Sequence, residues 1–249
     1  IFAIITAGAA AGFIGAAVGK LPDVRATMQP EASSQIFDIK GRLITTVHAE
    51  ENRLPVPISQ VPKNLQNAFV AAEDARFYEH HGIDPRGIMR AAYNNIVTHN
   101  ATGQGGSTIT QQLARNAFLT QDQTLRRKLM EAVLALEIER KYDKEEILEM
   151  YMNQIYFGQG CYGIQTAAHV YFGKDVKDLS LAQCAMLAGL PNSPNYYSPF
   201  RSLEAAKSRQ AVVLDQMEKY GYITAADAES AKKDDLHLAK QEKTGTAAT

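Results

Sequence analysis

GQGGSTITQQLARNAF occupies residues 103–118 and sets Gly103, Gln104, Gly105 and Gly106 directly before a Ser/Thr-rich helix start. A glycine loop leading into a helix is a frequent phosphate cradle, because the free N–H groups of the first turn attract anions. Two familiar versions fail here. Ser107 follows Gly106 where a P-loop needs lysine, and the third glycine of a dinucleotide fingerprint would fall on Thr108. Thr108 and Gln111 are spaced as a capping-box pair, so the helix predicted over 107–118 should turn its free N–H groups toward the loop. The stretch predicts another kind of anion site, or a mobile lid, at the start of a helix.

Helical periodicity dominates on both sides of this stretch. Leu65, Phe69 and Ala72 mark an apolar face running from Pro62 to Glu73-Asp74, and a second helix is predicted over 86–99. Leu125 to Lys141 reads as a strong helix with Leu129, Val133 and Leu136 on one face. Asp143 with Glu146 caps the next, which carries Ile147, Leu148 and Tyr151. Further helices are expected at about 163–171, 180–189, 202–220 and 224–233. Upstream, Ile36 and Ile39 flank Asp38, Lys40-Gly41 makes a turn, and 43–47 returns as a strand. The predicted class is mainly α with a small β element.

The front end is different. Ile1 to Gly19 carries no charge, and as a helix it would span roughly 28 Å, close to the hydrocarbon thickness of a bilayer. Gly8 and Gly12, then Gly15 and Gly19, have the spacing of close helix approach in a membrane. The expected reading is a signal anchor over 1–19 followed by a polar stalk over 20–34. A cleaved signal peptide ending near Ala17-Val18-Gly19 is the alternative. Either sends the rest of the chain across the membrane. The missing initiator methionine and basic flank suggest a fragment of a longer protein, and 234–249 reads as a polar tail or the start of a linker to a further domain.

Among 249 residues, 21% are charged and the formal net charge is −1, which argues against a nucleic-acid partner held through a basic surface. No solenoid or propeller repeat is evident. Cys161 and Cys184 sit among small and apolar neighbours, as buried free thiols do. No CxxC or HExxH occurs, so a dedicated zinc site is not expected.

Three stretches can carry chemistry. In AAEDARFYEHHG, Glu73 lies at a helix C-terminus, where the helix dipole and burial by Phe69 and Phe77 raise a carboxylate's proton affinity toward that of a general base. The plainer reading pairs Glu73 or Asp74 with Arg76 or Arg86. In RRKLMEAVLALEIER, Arg127 and Lys128 share a helix face with Glu131, as ordinary ion pairs or as a phosphate clamp with Arg115, with or without a divalent metal. In YMNQIYFGQGCYGIQTAA, Asn153, Gln154, Tyr156, Gln159 and Gln165 could line a sugar groove, though a polar loop is the simpler reading.

Together these stretches resemble, in order and from Ser34 to about Lys233, the peptidoglycan glycosyltransferase domain (glycosyltransferase family 51) of class A penicillin-binding proteins and monofunctional transglycosylases. The first motif is met by Glu73, Asp74, Phe77, His80 and Gly82. The second is met by the run from Gly105 through Gln112, including Gly106, Ser107, Thr108, Thr110 and Gln111, with Arg115 and Asn116 beyond it. Arg127, Lys128 and Glu131 meet the third. ILEMYMNQIYFG and AAHVYFGKDVKDLSLAQCAMLAGLPNSPNYYSP carry the fourth and fifth. Arg115 stands where many relatives have lysine, and Gln183 where glutamate is frequent. No complete transpeptidase signature occurs: Ser230-Ala231-Lys232-Lys233 spells Ser-x-x-Lys by itself, and Lys243-Thr244-Gly245 lies in a polar tail.

The resemblance implies a lysozyme-like helical domain over 35–233 with its small β element near the membrane. It implies polymerisation of lipid II into glycan chains on the outer face of a bacterial cytoplasmic membrane, with one transmembrane helix. Glu73 would be the base and Glu131 the second catalytic carboxylate. Asp74, Phe77, His80, Gly106, Ser107, Thr108, Thr110, Gln111, Gln112, Arg115, Asn116, Arg127, Lys128 and Asn153 would bind substrate. It also implies a divalent metal (Mg2+ or Mn2+), with Glu131 as its candidate ligand, and other cell-wall synthesis and division proteins as partners. GQGG would be a flap, and Ile88, Met89, Ile96 and Phe118 an apolar patch facing the bilayer.

Overall fold

A computed structural model of the chain describes residues 34–37, 43–47, 53–98, 105–118 and 125–240. The anchor expected over 1–19, the stalk expected over 20–34 except Ser34, the turn at Lys40-Gly41, Gly103, Gln104 and the tail beyond 240 lie outside the described residues. No helix among the described residues is long and apolar enough to cross a membrane. The described residues form two compact units, those within 1–50 and 73–154 making the first and those within 51–72 and 155–249 the second.

In the first unit, strand β1 (Ser34–Phe37) pairs antiparallel with β2 (Leu43–Val47), Ser34 opposite Val47, with an irregularity between Ile36 and Phe37. Helix α1 (Lys63–Glu73) delivers Glu73 and Asp74 to this unit, and four helices complete it: α2 (Pro85–Thr98), α3 (Ile109–Phe118), α4 (Leu125–Lys141) and α5 (Lys144–Gln154). Helix α3 packs against both α4 and α5. It buries Ile109, Leu113 and Ala114, facing apolar positions such as Ala135, Ile138, Ile147 and Leu148. Asp143 caps α5 as a reciprocal pair: its Oδ1 accepts from the Glu146 N–H at 2.8 Å, and Glu146 Oε2 accepts from the Asp143 N–H at 3.0 Å.

Helix α4 corrects the expected facing. Leu129 is 70% and Leu136 43% exposed, while Glu131, Leu134, Ala135 and Ile138 are buried. The helix is apolar on two sides, and close approach decides between them. At Gly82, with φ of 84°, an added Cβ would lie 2.8 Å from the carbonyl oxygen of Ala135. The backbone after the first motif can therefore lie directly on the Ala135 side of α4 only because position 82 carries no side chain.

The second unit contains most of α1 with α6 (Ile164–Phe172), α7 (Leu181–Gly189), α8 (Leu203–Lys219) and α9 (Ala225–Lys233). Phe69 meets Phe157 edge to face at 6.1 Å. Helix α8 packs against α7 and α9. Cys161 and Cys184 are buried free thiols, pushed up to about 11 and about 12 by desolvation. Gln183 completes a capping box with Ser180, and its Nε2 also donates to the Leu236 carbonyl at 2.9 Å. The Lys207 Nζ donates to the Asp234 carbonyl at 2.6 Å and the Ala239 N–H to the Tyr171 carbonyl at 2.9 Å. The segment after α9 is thus tied to the unit at three points. The amide at 183, which a carboxylate could not replace as a donor, makes the middle tie.

Candidate functional site

Every residue that the resemblance implies as catalytic or substrate-binding, Glu73 through Asn153, falls in the first unit, whereas Tyr156, Gln159 and Gln165 of the candidate sugar groove fall in the second. Asp74 organises it. Its carboxylate is buried, takes His80 Nε2 at 2.8 and 3.0 Å on its two oxygens, and accepts the Ile109 N–H on Oδ2 at 3.1 Å. An acidic group at the first turn of α3 complements the helix dipole.

This overturns one expectation. The N–H groups of Thr108, Ile109 and Gln111 are taken up within the chain rather than presented to an incoming anion. Ile109 donates to Asp74, Gln111 donates to Thr108 Oγ1 at 3.1 Å, and Thr108 donates to Gln111 Oε1 at 3.0 Å. The capping box is present as read, and the chain's own carboxylate occupies the end of the helix. Thr108 Oγ1 donates onward to the Gly82 carbonyl at 2.7 Å, joining the second motif to the first.

Thr110 is fully buried, and its hydroxyl donates to Glu139 Oε1 at 2.6 Å. Lys144 Nζ donates to the same oxygen at 2.7 Å and sits 4.4 Å from the centre of the Phe77 ring. Asp74, Phe77, His80, Thr108, Thr110 and Gln111 are thus engaged inside the unit and hold its shape. Arg76 pairs with Asp84 rather than with Glu73 or Asp74, so the plain ion-pair reading of those two acids does not hold for Arg76.

Glu73 is partly exposed and accepts from Gln112 Nε2 at 2.9 Å on Oε2. Gln112 Oε1 in turn accepts from the Tyr151 hydroxyl at 3.1 Å. Burial raises the Tyr151 phenol well above its ordinary range, the charge of Glu73 adds to this, and Arg115 opposes it. Arg115 is partly exposed, Asn116 exposed, and Gly106 lies beside Ile88 of α2.

A second cluster stands on α4. The Glu131 side chain is wholly buried, with Arg127 Nε 3.2 Å from Oε1 and Lys128 Nζ 2.7 Å from Oε2. Lys128 Nζ also donates to Ser107 Oγ at 2.7 Å, which brings the second and third motifs together. Arg127 is 18% and Lys128 47% exposed, so the carboxylate is sealed while the cations reach outward. That arrangement aligns positive charge toward an anion. Both Glu131 oxygens are on cations, so that carboxylate alone offers a metal no unshared oxygen, and no cluster of three His, Cys, Asp or Glu able to hold an ion occurs among the described residues.

Asn153 is 8% exposed at the end of α5. Beyond it, Gln159 and Gln165 tie segments of the second unit together. Gln159 donates to Ser198 Oγ at 3.3 Å, while Gln165 accepts from the Val176 N–H at 3.0 Å and donates to Asp175 at 2.7 Å. Sequence reasoning missed Tyr151, Glu139 and Lys144. Tyr151 fell on the apolar face of a helix, and the only signal was a hydroxyl that, once buried, needs a partner.

Residues 40–218 match the transglycosylase family. The chain is 47% identical over 215 residues to penicillin-binding protein 1F of Bacillus subtilis, covering 86% of this chain and 30% of that protein. It is 48% identical over 208 residues to penicillin-binding protein 1A of Escherichia coli, covering 82% and 24%. A crystal structure of penicillin-binding protein 1A from Haemophilus influenzae aligns with a TM-score of 0.48 at 25% identity, over 85% of this chain and 22% of that one. The chain therefore spans between about a quarter and a third of the length of these two curated relatives.

Proposed function

This chain belongs to the transglycosylase family, and from that premise we propose that it is a peptidoglycan glycosyltransferase, polymerising lipid II into glycan chains. The observation that supports this most directly is the pairing, within one unit, of a hydrogen-bonded carboxylate at Glu73 with an aligned cation cluster at Arg127 and Lys128.

In this reading Glu73 takes the proton from the 4-hydroxyl of an acceptor GlcNAc as that oxygen attacks the anomeric carbon of the donor. Gln112 holds the carboxylate that does so. The bond that breaks joins the donor sugar to undecaprenyl pyrophosphate, so negative charge grows on the departing phosphate. Arg115, Arg127 and Lys128 neutralise it, with Glu131 keeping the last two in place. Attack opposite the leaving group inverts the anomeric carbon. A divalent ion, with Glu131 as its candidate protein ligand, would add positive charge beside the departing pyrophosphate.

The proposal places the catalytic unit on the outer face of a bacterial cytoplasmic membrane, tethered through residues 1–19, in a lysozyme-like fold with its β hairpin near the bilayer. On α2, Ile88, Met89 and Tyr93 are 44%, 64% and 66% exposed, an apolar face suited to lipid. Phe118 is partly buried, and the side chain of Ile96 lies outside the described residues.

Fluorescent lipid II in detergent tests the proposal. Polymer from the wild type and none from folded Glu73→Gln is the expected result. Equal polymer from both variants would remove Glu73 as the base. Cleavage of preformed glycan without polymer would move the function to a lytic enzyme, which cuts a neutral bond and needs no pyrophosphate clamp.

A further inference from the structure

We infer that Tyr151 is a positioning residue for the base, because its hydroxyl determines which end of the Gln112 amide faces Glu73. The inference rests on the reading of Glu73 as the base. Its geometry is a chain of two hydrogen bonds: Tyr151 O–H to Gln112 Oε1 at 3.1 Å, then Gln112 Nε2–H to Glu73 Oε2 at 2.9 Å.

The two ends of a glutamine amide have nearly the same shape and opposite hydrogen-bonding character. With the NH2 group toward Glu73, the amide stabilises an ionised carboxylate. With the amide reversed, its oxygen would face that carboxylate, and the contact is favourable only when Glu73 already carries a proton. A base that arrives protonated cannot act. What selects between the two orientations is the group at the far end of the amide.

Tyr151 is suited to that choice. It is fully buried on α5, and burial keeps the phenol protonated, so it remains a donor throughout the working pH range. A donor there needs the amide oxygen, which turns the NH2 group to Glu73. The charged groups acting on Tyr151 are Glu73, Arg115 on α3, and Asp74. Asp74 is itself held by His80 and the Ile109 N–H. The two carboxylates are acceptors and cannot supply a donor to Gln112 Oε1, and the donor that oxygen takes is the Tyr151 hydroxyl, not Arg115.

Tyr151→Phe removes one oxygen and leaves the ring in the core. A single net hydrogen bond corresponds to about a fivefold change in an equilibrium. The variant is therefore expected to show kcat lowered about three- to tenfold on the acid side of the pH profile, the acid limb moved upward by about half a pH unit to one unit, and near-complete recovery at alkaline pH. KM for lipid II should stay within about twofold. In a Gln112→Met background, adding Tyr151→Phe should change neither the limb nor kcat, since there is no amide left to orient.

An unchanged acid limb in Tyr151→Phe, an equal loss at every pH, or additive effects with Gln112→Met would each overturn the inference while leaving Glu73 as base. Loss of folding in Tyr151→Phe alone would assign the hydroxyl a structural role and overturn it too. If Glu73→Gln itself retains polymerisation, the base assignment fails first, and the inference falls with it.

Discussion

The Ile109 N–H donates to Asp74 Oδ2 at 3.1 Å, joining residues 35 positions apart and setting the acid that follows the candidate base at the start of the helix that carries Gln112. Removing that acid should act on folding before it acts on chemistry. Asp74→Ala is expected to cost about 2–4 kcal/mol, from a lost cap and charged hydrogen bonds. Asp74→Asn, which keeps one acceptor for the Ile109 N–H, should cost less. Urea unfolding of the three proteins measures both.

Glu131→Gln separates alignment from charge. Arg127 and Lys128 are partly hydrated, so removing their buried counter-ion should cost only about 1–2 kcal/mol of stability. Polymerisation should fall by about a hundredfold or more, because the cations lose their fixed direction. A variant with near-normal turnover would remove Glu131 from the mechanism.

Gly82→Ala should destabilise the unit by about 2–4 kcal/mol, combining a positive φ with a Cβ 2.8 Å from the Ala135 carbonyl oxygen. Circular dichroism melting would show it as a lowered midpoint. A change within experimental error would mean the backbone there can retreat from α4.

The buried thiols predict an alkaline weakness. Folded Cys161 and Cys184 hold their protons to about 11 and about 12, above the value of 9.0 expected without burial. Between those limits the folded chain binds more protons than the unfolded one. Stability from these groups is therefore complete below pH 9 and falls as pH rises, by about 1.4 kcal/mol per unit for each thiol. Cys184→Ala should flatten the alkaline slope of urea midpoints, and thiol reagents should react with neither cysteine at pH 8 until the chain unfolds.

What was legible in the sequence was mostly local. Thr108 with Gln111 and Asp143 with Glu146 lie three positions apart, so their reciprocal bonds can be read from spacing alone, and the helix limits follow from them. The facing of α4 was not legible, because apolar residues occur on both of its sides. It took a glycine 53 positions away, Gly82, to select the Ala135 side. The same is true of the amide chain at Glu73. Gln112 is 39 residues from Glu73 and 39 from Tyr151, and no periodicity within a helix carries that relation. The order of motifs located the candidate site, while its internal division between buried supports and outward-reaching groups depended on burial that only packing decides.

The three ties that hold the segment after α9, at Asp234, Leu236 and Ala239, give the chain a fixed point of departure. A dye attached at Lys240 would share the rotational diffusion of the second unit for as long as those ties hold, and would gain fast independent tumbling when they part. Fluorescence anisotropy at that one position would therefore read whether the three ties are made.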